Sequence, residues 1–253
     1  MKAISFFKTM QMVTRLYFRD FASPFFSIAF PIGMILLFGG IYGNEPSELY
    51  NYERGAMDAM IPAIIGMVIA VNGIMTLPLN LSEYMTNRVY KRFDATPMGK
   101  GNIIFVQVLV YLLAALVSTM IIIVAGILIY DINIAGTWLV IIPVILLSCV
   151  AVFSMGFFIA AVFKSGKAAQ IISYIVYFIM IFLSGSTMPL ALMPEGIRTA
   201  ANILPLTHVV VLLQTAFYGQ RVGEQLTVII VLFGVIIICG SIGAVCYKRK
   251  KWM

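Results

Sequence analysis

Seven stretches of this sequence contain no charged residue: 21–44, 59–82, 101–130, 132–163, 168–194, 199–220 and 225–247. Each reaches the roughly 20 residues that a helix needs to cross a hydrocarbon core about 30 Å thick. A charge at mid-membrane costs about 2.5–3.5 kcal/mol on insertion scales, so gaps of this length mark chain that lives in lipid. Composition agrees. Hydrophobic residues make up 62% of the chain and charged residues 11%, against roughly 45–50% and about 25% in soluble domains. The chain is an all-α integral membrane protein, since a helix satisfies its own backbone hydrogen bonds in lipid.

One of the seven gaps is weak. In 199–220 the continuous apolar core is only Val209–Leu213, flanked by Pro205, Thr207, His208, Gln214 and Thr215. A core so short reads as a re-entrant or interfacial helix rather than a crossing. Charge placement gives an independent reading. With six spans and a cytoplasmic start, the inner segments hold Lys2, Lys8, Arg15, Arg19, Arg88, Lys91, Arg92, Lys100, Lys164, Lys167, Lys248, Arg249, Lys250 and Lys251, which is 14 of the 17 basic residues. Only Arg54, Arg198 and Arg221 fall outside. A seventh crossing would put the last four outside as well, against the positive-inside rule.

The expectation is therefore one membrane domain over 1–253 with both ends cytoplasmic. Its spans fall near 22–42, 59–81, 102–130, 138–163, 168–188 and 226–247, with short re-entrant outer helices over 189–220. Residues 1–20 place Phe6, Phe7, Met10, Val13 and Tyr17 near helical spacing, with Lys8, Arg15 and Arg19 elsewhere. That pattern predicts a cytoplasmic interfacial helix; a cleaved signal peptide fits worse, because the apolar run starts late and lacks a small-residue cleavage site. The acidic loop 43–58 reads as a solvated hairpin, and Pro24, Pro31, Pro62, Pro78 and Pro143 are expected to kink the spans. Gly39-x-x-x-Gly43 reads as part of a turn, and Tyr130 and Trp138 as interfacial anchors.

Several chemistries are excluded. No G-x-x-x-x-G-K-[ST], H-E-x-x-H or G-x-S-x-G occurs. The nearest phosphate-loop fragment, Ser165-Gly166-Lys167, lacks its upstream glycine. Cys149, Cys239 and Cys246 lie in apolar runs with no C-x-x-C, and His208 is the single histidine, so no metal set is expected. The net charge of +7 sits at span ends, which speaks for membrane rather than nucleic acid. No carboxylate lies at mid-span, so an ion-coupled carrier has no obvious coupling group. Any transport energy must then come from a partner chain.

The longest inner loop, 82–101, is the place for such a partner to dock. Arg88, Lys91 and Arg92 share one side of a helical stretch with Val89, Tyr90 and Phe93 between them, and Pro97 and Gly99 end it. A basic loop lying on anionic lipid is the alternative reading. Here the chain resembles the membrane subunit of type-2 ATP-binding-cassette (ABC) exporters. In that family an acidic-basic-Asn-Gly stretch and a basic helix ending in Ala-Thr-Pro join spans two and three. Asn87, Lys91, Arg92, Ala95, Thr96 and Pro97 match, Arg88 stands at the usual glycine, and Phe93 and Asp94 are variants. A second match is Ser184, Gly185, Pro189, Met193, Pro194, Leu204, Pro205, Leu206 and Thr207.

The resemblance implies a permease in a bacterial inner membrane, exporting a hydrophobic or amphipathic substrate. It would carry no cofactor itself, with ATP and Mg bound by two copies of a separate ABC ATPase and with a second permease alongside. Glu83, Asn87, Arg88, Lys91, Arg92, Phe93, Asp94 and Pro97 would couple to the ATPase. Ser184, Gly185, Pro189, Pro194, Pro205, Thr207 and His208 would form an outer gate, although an interfacial role for His208 is the plainer reading. The opposing class is a non-transport immunity or sensor subunit. In a cysteine-accessibility scan, labels near Glu195–Arg198 and Arg221–Glu224 are expected to react from the same outer side; reaction from opposite sides would mean seven crossings.

Overall fold

The computed structural model describes residues 2–45, 54–86, 99–163, 165–187 and 193–249. Every element among them is helical. α1 (Lys2–Arg19) precedes six helices long and apolar enough to span a membrane: α2 (Ala22–Tyr42), α3 (Ala56–Thr86), α4 (Gly99–Tyr130), α5 (Trp138–Val162), α6 (Gly166–Leu183) and, after a 3-10 turn at Val222–Gln225, α9 (Leu226–Arg249). Between α6 and α9 lie α7 (Glu195–Ala201) and α8 (Pro205–Phe217), bent 91° to one another.

α3 is the axis of the bundle. Its most apolar 18-residue window is wholly buried, whereas less than a third of the corresponding window is buried in α2, α6 and α9. Small residues let its neighbours approach, as helix contacts in membranes generally require. A Cβ on Gly156 of α5 would lie 1.7 Å from the Gly73 carbonyl oxygen of α3, and one on Gly73 would meet Phe153 and Val152 at 2.9 Å. Gly126 of α4 admits Ile61 in the same way, at 3.0 Å.

Two of the five prolines widen their helices. α2 carries a π-helical turn at Phe25–Ala29 and α3 one at Val71–Thr76, each ending two residues before a proline, Pro31 and Pro78. Proline offers no N–H to the carbonyl four residues back and its ring crowds that carbonyl, so the turn opens. Pro62 and Pro143 stay within α-helical turns. The two wide turns meet. The Ser27 hydroxyl donates to Asn72 Oδ1 (3.1 Å), as does the Tyr17 hydroxyl from α1 (3.3 Å), while Asn72 Nδ2 donates to the Val68 carbonyl (3.0 Å). Asn72 is fully buried in the middle of α3, where an amide without partners would be costly.

At one end of the bundle, the rim, Asp58 ties three connections together. It accepts from Asn44 Nδ2 (3.1 Å), the Asn133 N–H (2.9 Å) and the Gly55 N–H (3.1 Å). Loop 43–58 was expected to be solvated, yet Asp58 is buried, because these donors replace water; residues 46–53 lie outside the described residues. Gly39 is a helix contact, with the Tyr130 ring where a Cβ would be. Gly43 is the turn residue, at φ +62°.

The opposite end, the base, gathers both ends of the described chain. Phe6 of α1 packs near Phe105 at the start of α4, and Tyr247 of α9 near Phe157 late in α5. The six crossings therefore leave α1 and the end of α9 on the same side. Substituting Gly156→Ala is expected to destabilise the purified protein by at least about 1–3 kcal/mol, the usual cost of overpacking. Gly240→Ala, which meets nothing within 4 Å, is expected to leave the melting temperature unchanged.

Candidate functional site: a base segment and a rim elbow joined by α3

α3 runs 31 residues, about 46 Å at 1.5 Å per residue. Its base end leads directly into the segment that carries the expected coupling residues. Glu83 lies exposed on that end of α3. Asn87, Arg88, Lys91, Arg92, Phe93, Asp94 and Pro97 lie outside the described residues.

Two contacts fix what α3 touches there. The Thr86 hydroxyl donates to the Ser82 carbonyl (2.9 Å) and accepts the Gly166 N–H (3.2 Å), joining the end of α3 to the start of α6. Gly166 leaves little room beside it, since a Cβ would lie 3.0 Å from Thr86 Oγ1. Tyr84 hydrogen-bonds to Gln107 of α4. Ser165 accepts from the Ala168 N–H (3.1 Å) and caps α6, so the fragment resembling a phosphate loop is a helix N-cap.

α6 has 18 residues, about 27 Å, and starts level with the base of α3, so it stops about 20 Å short of the rim. Sequence reading extended it to 188, but it ends at Leu183. The Ser184 N–H bonds to the Met180 carbonyl (2.9 Å), and Gly185 follows at φ +84°. That is a glycine stop, in a conformation which residues with a Cβ rarely adopt. Ser184 is fully buried and its hydroxyl pairs with that of Ser186 (2.8 Å).

α8, 13 residues or about 20 Å, makes up the missing height. Val209 and Val210 pack at Gly66 of α3; higher up, Gln214 Nε2 donates to the Ala59 carbonyl (3.1 Å). At the rim Arg54 donates to the Tyr218 carbonyl (3.2 Å) and lies 3.9 Å above its ring. The 91° elbow between α7 and α8 is held from the α8 side. Pro205 occupies the first turn, where its missing N–H costs nothing. The buried Thr207 hydroxyl donates to the Ala201 carbonyl (2.6 Å), and His208 Nε2 bonds to the Asn202 carbonyl (3.0 Å). Both carbonyls lie at the end of α7, and that of Ala201 also accepts the Leu204 N–H (2.9 Å). Pro194, exposed, caps the start of α7.

Of the expected gate residues, Pro205, Thr207 and His208 thus meet at the elbow, while Ser184 and Gly185 close α6. Pro189 lies outside the described residues. Sequence reading missed Asn72, Thr86 and Asp58 as fixing points. Ser165 ahead of an apolar run was a readable cap signal; a neutral asparagine among apolar neighbours gave none.

Six helices long and apolar enough to span a membrane, the buried α3 among them, define a multi-span helical membrane protein. Residues 42–245 match the family model described as an ABC-2 family transporter protein, and the chain belongs to that family. No curated protein matches the chain. Removing both elbow bonds with Thr207→Val and His208→Ala is expected to cost about 2 kcal/mol, roughly 1 per bond. A cysteine at the buried Ala201 would then be labelled about 30-fold faster than in the unaltered elbow.

Proposed function

We propose that this chain is the membrane-spanning subunit of an ATP-driven exporter that moves a hydrophobic or amphipathic substrate outward. A separate ABC ATPase, in two copies, binds ATP and Mg, and a second permease copy or a related permease completes the path. The base is cytoplasmic, together with both ends of the chain, and the membrane is a bacterial inner membrane; the basic residues clustered at that end favour this orientation.

One observation carries the reading: α3 is a continuous helix, buried on every side over 57–78, that leads from the basic segment at the base to the Asp58 contacts at the rim. A push on residues 83–97 enters a length of helix that lipid does not touch. It passes to α6 through Thr86 and Gly166, and to α8 through Gly66 and Ala59, the elements that carry the elbow. The wide turn at Val71–Thr76 is where α3 yields first, since π-turns hold backbone hydrogen bonds that rearrange at low cost. Substrate leaves past the elbow, which opens by releasing the Thr207 and His208 bonds.

Replacing Arg88, Lys91 and Arg92 with Ala is expected to lower substrate-stimulated ATP turnover and transport at least about tenfold. Hydrogen bonds to charged groups are each worth about 1.5–3 kcal/mol. Transport and coupling that survive intact would remove the coupling role from this segment.

A further inference from the structure

α1 does not lie flush against the bundle. It touches α4 at Phe6–Phe105, ring centroids 6.5 Å apart, and again at Tyr17–Tyr111, 5.4 Å apart and edge-on. Between these contacts α1 advances about 16 Å along its own axis but only about 9 Å along α4. The helices therefore cross obliquely. The wedge left between α1, α2 and α4 holds a cavity of about 180 Å³, whose walls include Met10, Thr14, Ile28, Leu113, Val117 and Ser118.

Two features specify an occupant. The walls are almost wholly apolar, which suits hydrocarbon. In addition, Met10 and Thr14 are shared with an adjoining shallow pocket whose rim carries Lys8, Gln11 and Arg15. α1 contains no acidic residue. Among the described residues neither Lys8 nor Arg15 meets a carboxylate, and the neighbouring Asp20 already accepts from Ser23 (2.5 Å) and the Ala22 N–H (3.4 Å).

We infer that this wedge is a binding site for one anionic phospholipid of the base-side leaflet. Its phosphate sits between Lys8 and Arg15, and its first methylenes lie against Met10, Leu113 and Val117. The lipid would complete the packing of α1 against α4 and hold Tyr17 on Asn72, at the widened turn of α3. The site is independent of the proposed transport cycle and is testable without it.

The test is to titrate phosphatidylglycerol or phosphatidylcholine into the delipidated full-length protein and count bound lipid by native mass spectrometry. One phosphatidylglycerol per chain, retained in preference to phosphatidylcholine, is expected. Lys8→Gln with Arg15→Gln should weaken it about 30-fold, at roughly 1 kcal/mol for each charge. Ala114→Phe, which fills the wedge, should abolish it. Loss with the charge variant but not with Ala114→Phe would mean surface attraction without a seat, and would overturn the inference. So would equal retention of both lipids, or a dimer mass that disappears with Ala114→Phe, which would assign the wedge to a second copy. Should Ala114→Phe fail to fold, phosphatidylglycerol with a photoactivatable acyl chain answers the question in the unaltered protein. Cross-links at Leu113 and Val117 are expected, and cross-links confined to the exposed Leu139 and Ile142 would refute the site.

Discussion

The approach of α3 to α5 at Gly73 and Gly156 leaves no space for a Cβ, and the rest of the bundle is arranged around that contact. In lipid no hydrophobic force drives apolar helices together, so association depends on close packing and on the few polar contacts available. Glycine at the crossing brings two backbones within van der Waals range. α4 and α8 then close on the other faces of α3 at Gly126 and Gly66 by the same device. The outcome is a membrane helix with no lipid-facing side over 57–78.

Polar contacts are spent where packing alone would leave the arrangement undetermined. Asp58 gathers Asn44, Gly55 and Asn133 at the rim, Asn72 joins the widened turns of α2 and α3 at mid-depth, and Thr86 ties α3 to α6 at the base. These three points lie along one helix. Each holds a different neighbour. The elbow at Thr207 and His208 is built differently: two side-chain bonds to carbonyls at a helix end.

Much of this was legible in the sequence. Gaps between charges placed all six membrane helices, because a charge in hydrocarbon is too costly to be incidental. The short apolar core around Val209–Leu213 pointed to the bent pair. Boundaries were less legible where local chemistry overrode hydropathy. α3 begins at Ala56, ahead of the expected span, because Asp58 accepts hydrogen bonds from Asn44 and Asn133, distant in sequence. α6 ends at Leu183 although the uncharged stretch continues to 194, because Gly185 turns the chain. Asn72 gave no signal at all: it is neutral, it lies in an apolar run, and only the fold brings Ser27 and Tyr17 to it. Asn87 to Pro97, where resemblance placed the coupling role, rest on sequence alone.

The central claim is that this permease works on a partner's ATP, and isolating the complex tests it most directly. Purified from its own membrane in mild detergent, the tagged chain is expected to bring with it a stoichiometric nucleotide-binding subunit that turns over ATP. A pure chain with neither a partner nor ATP turnover, recovered from membranes in which the protein is intact, would contradict the account.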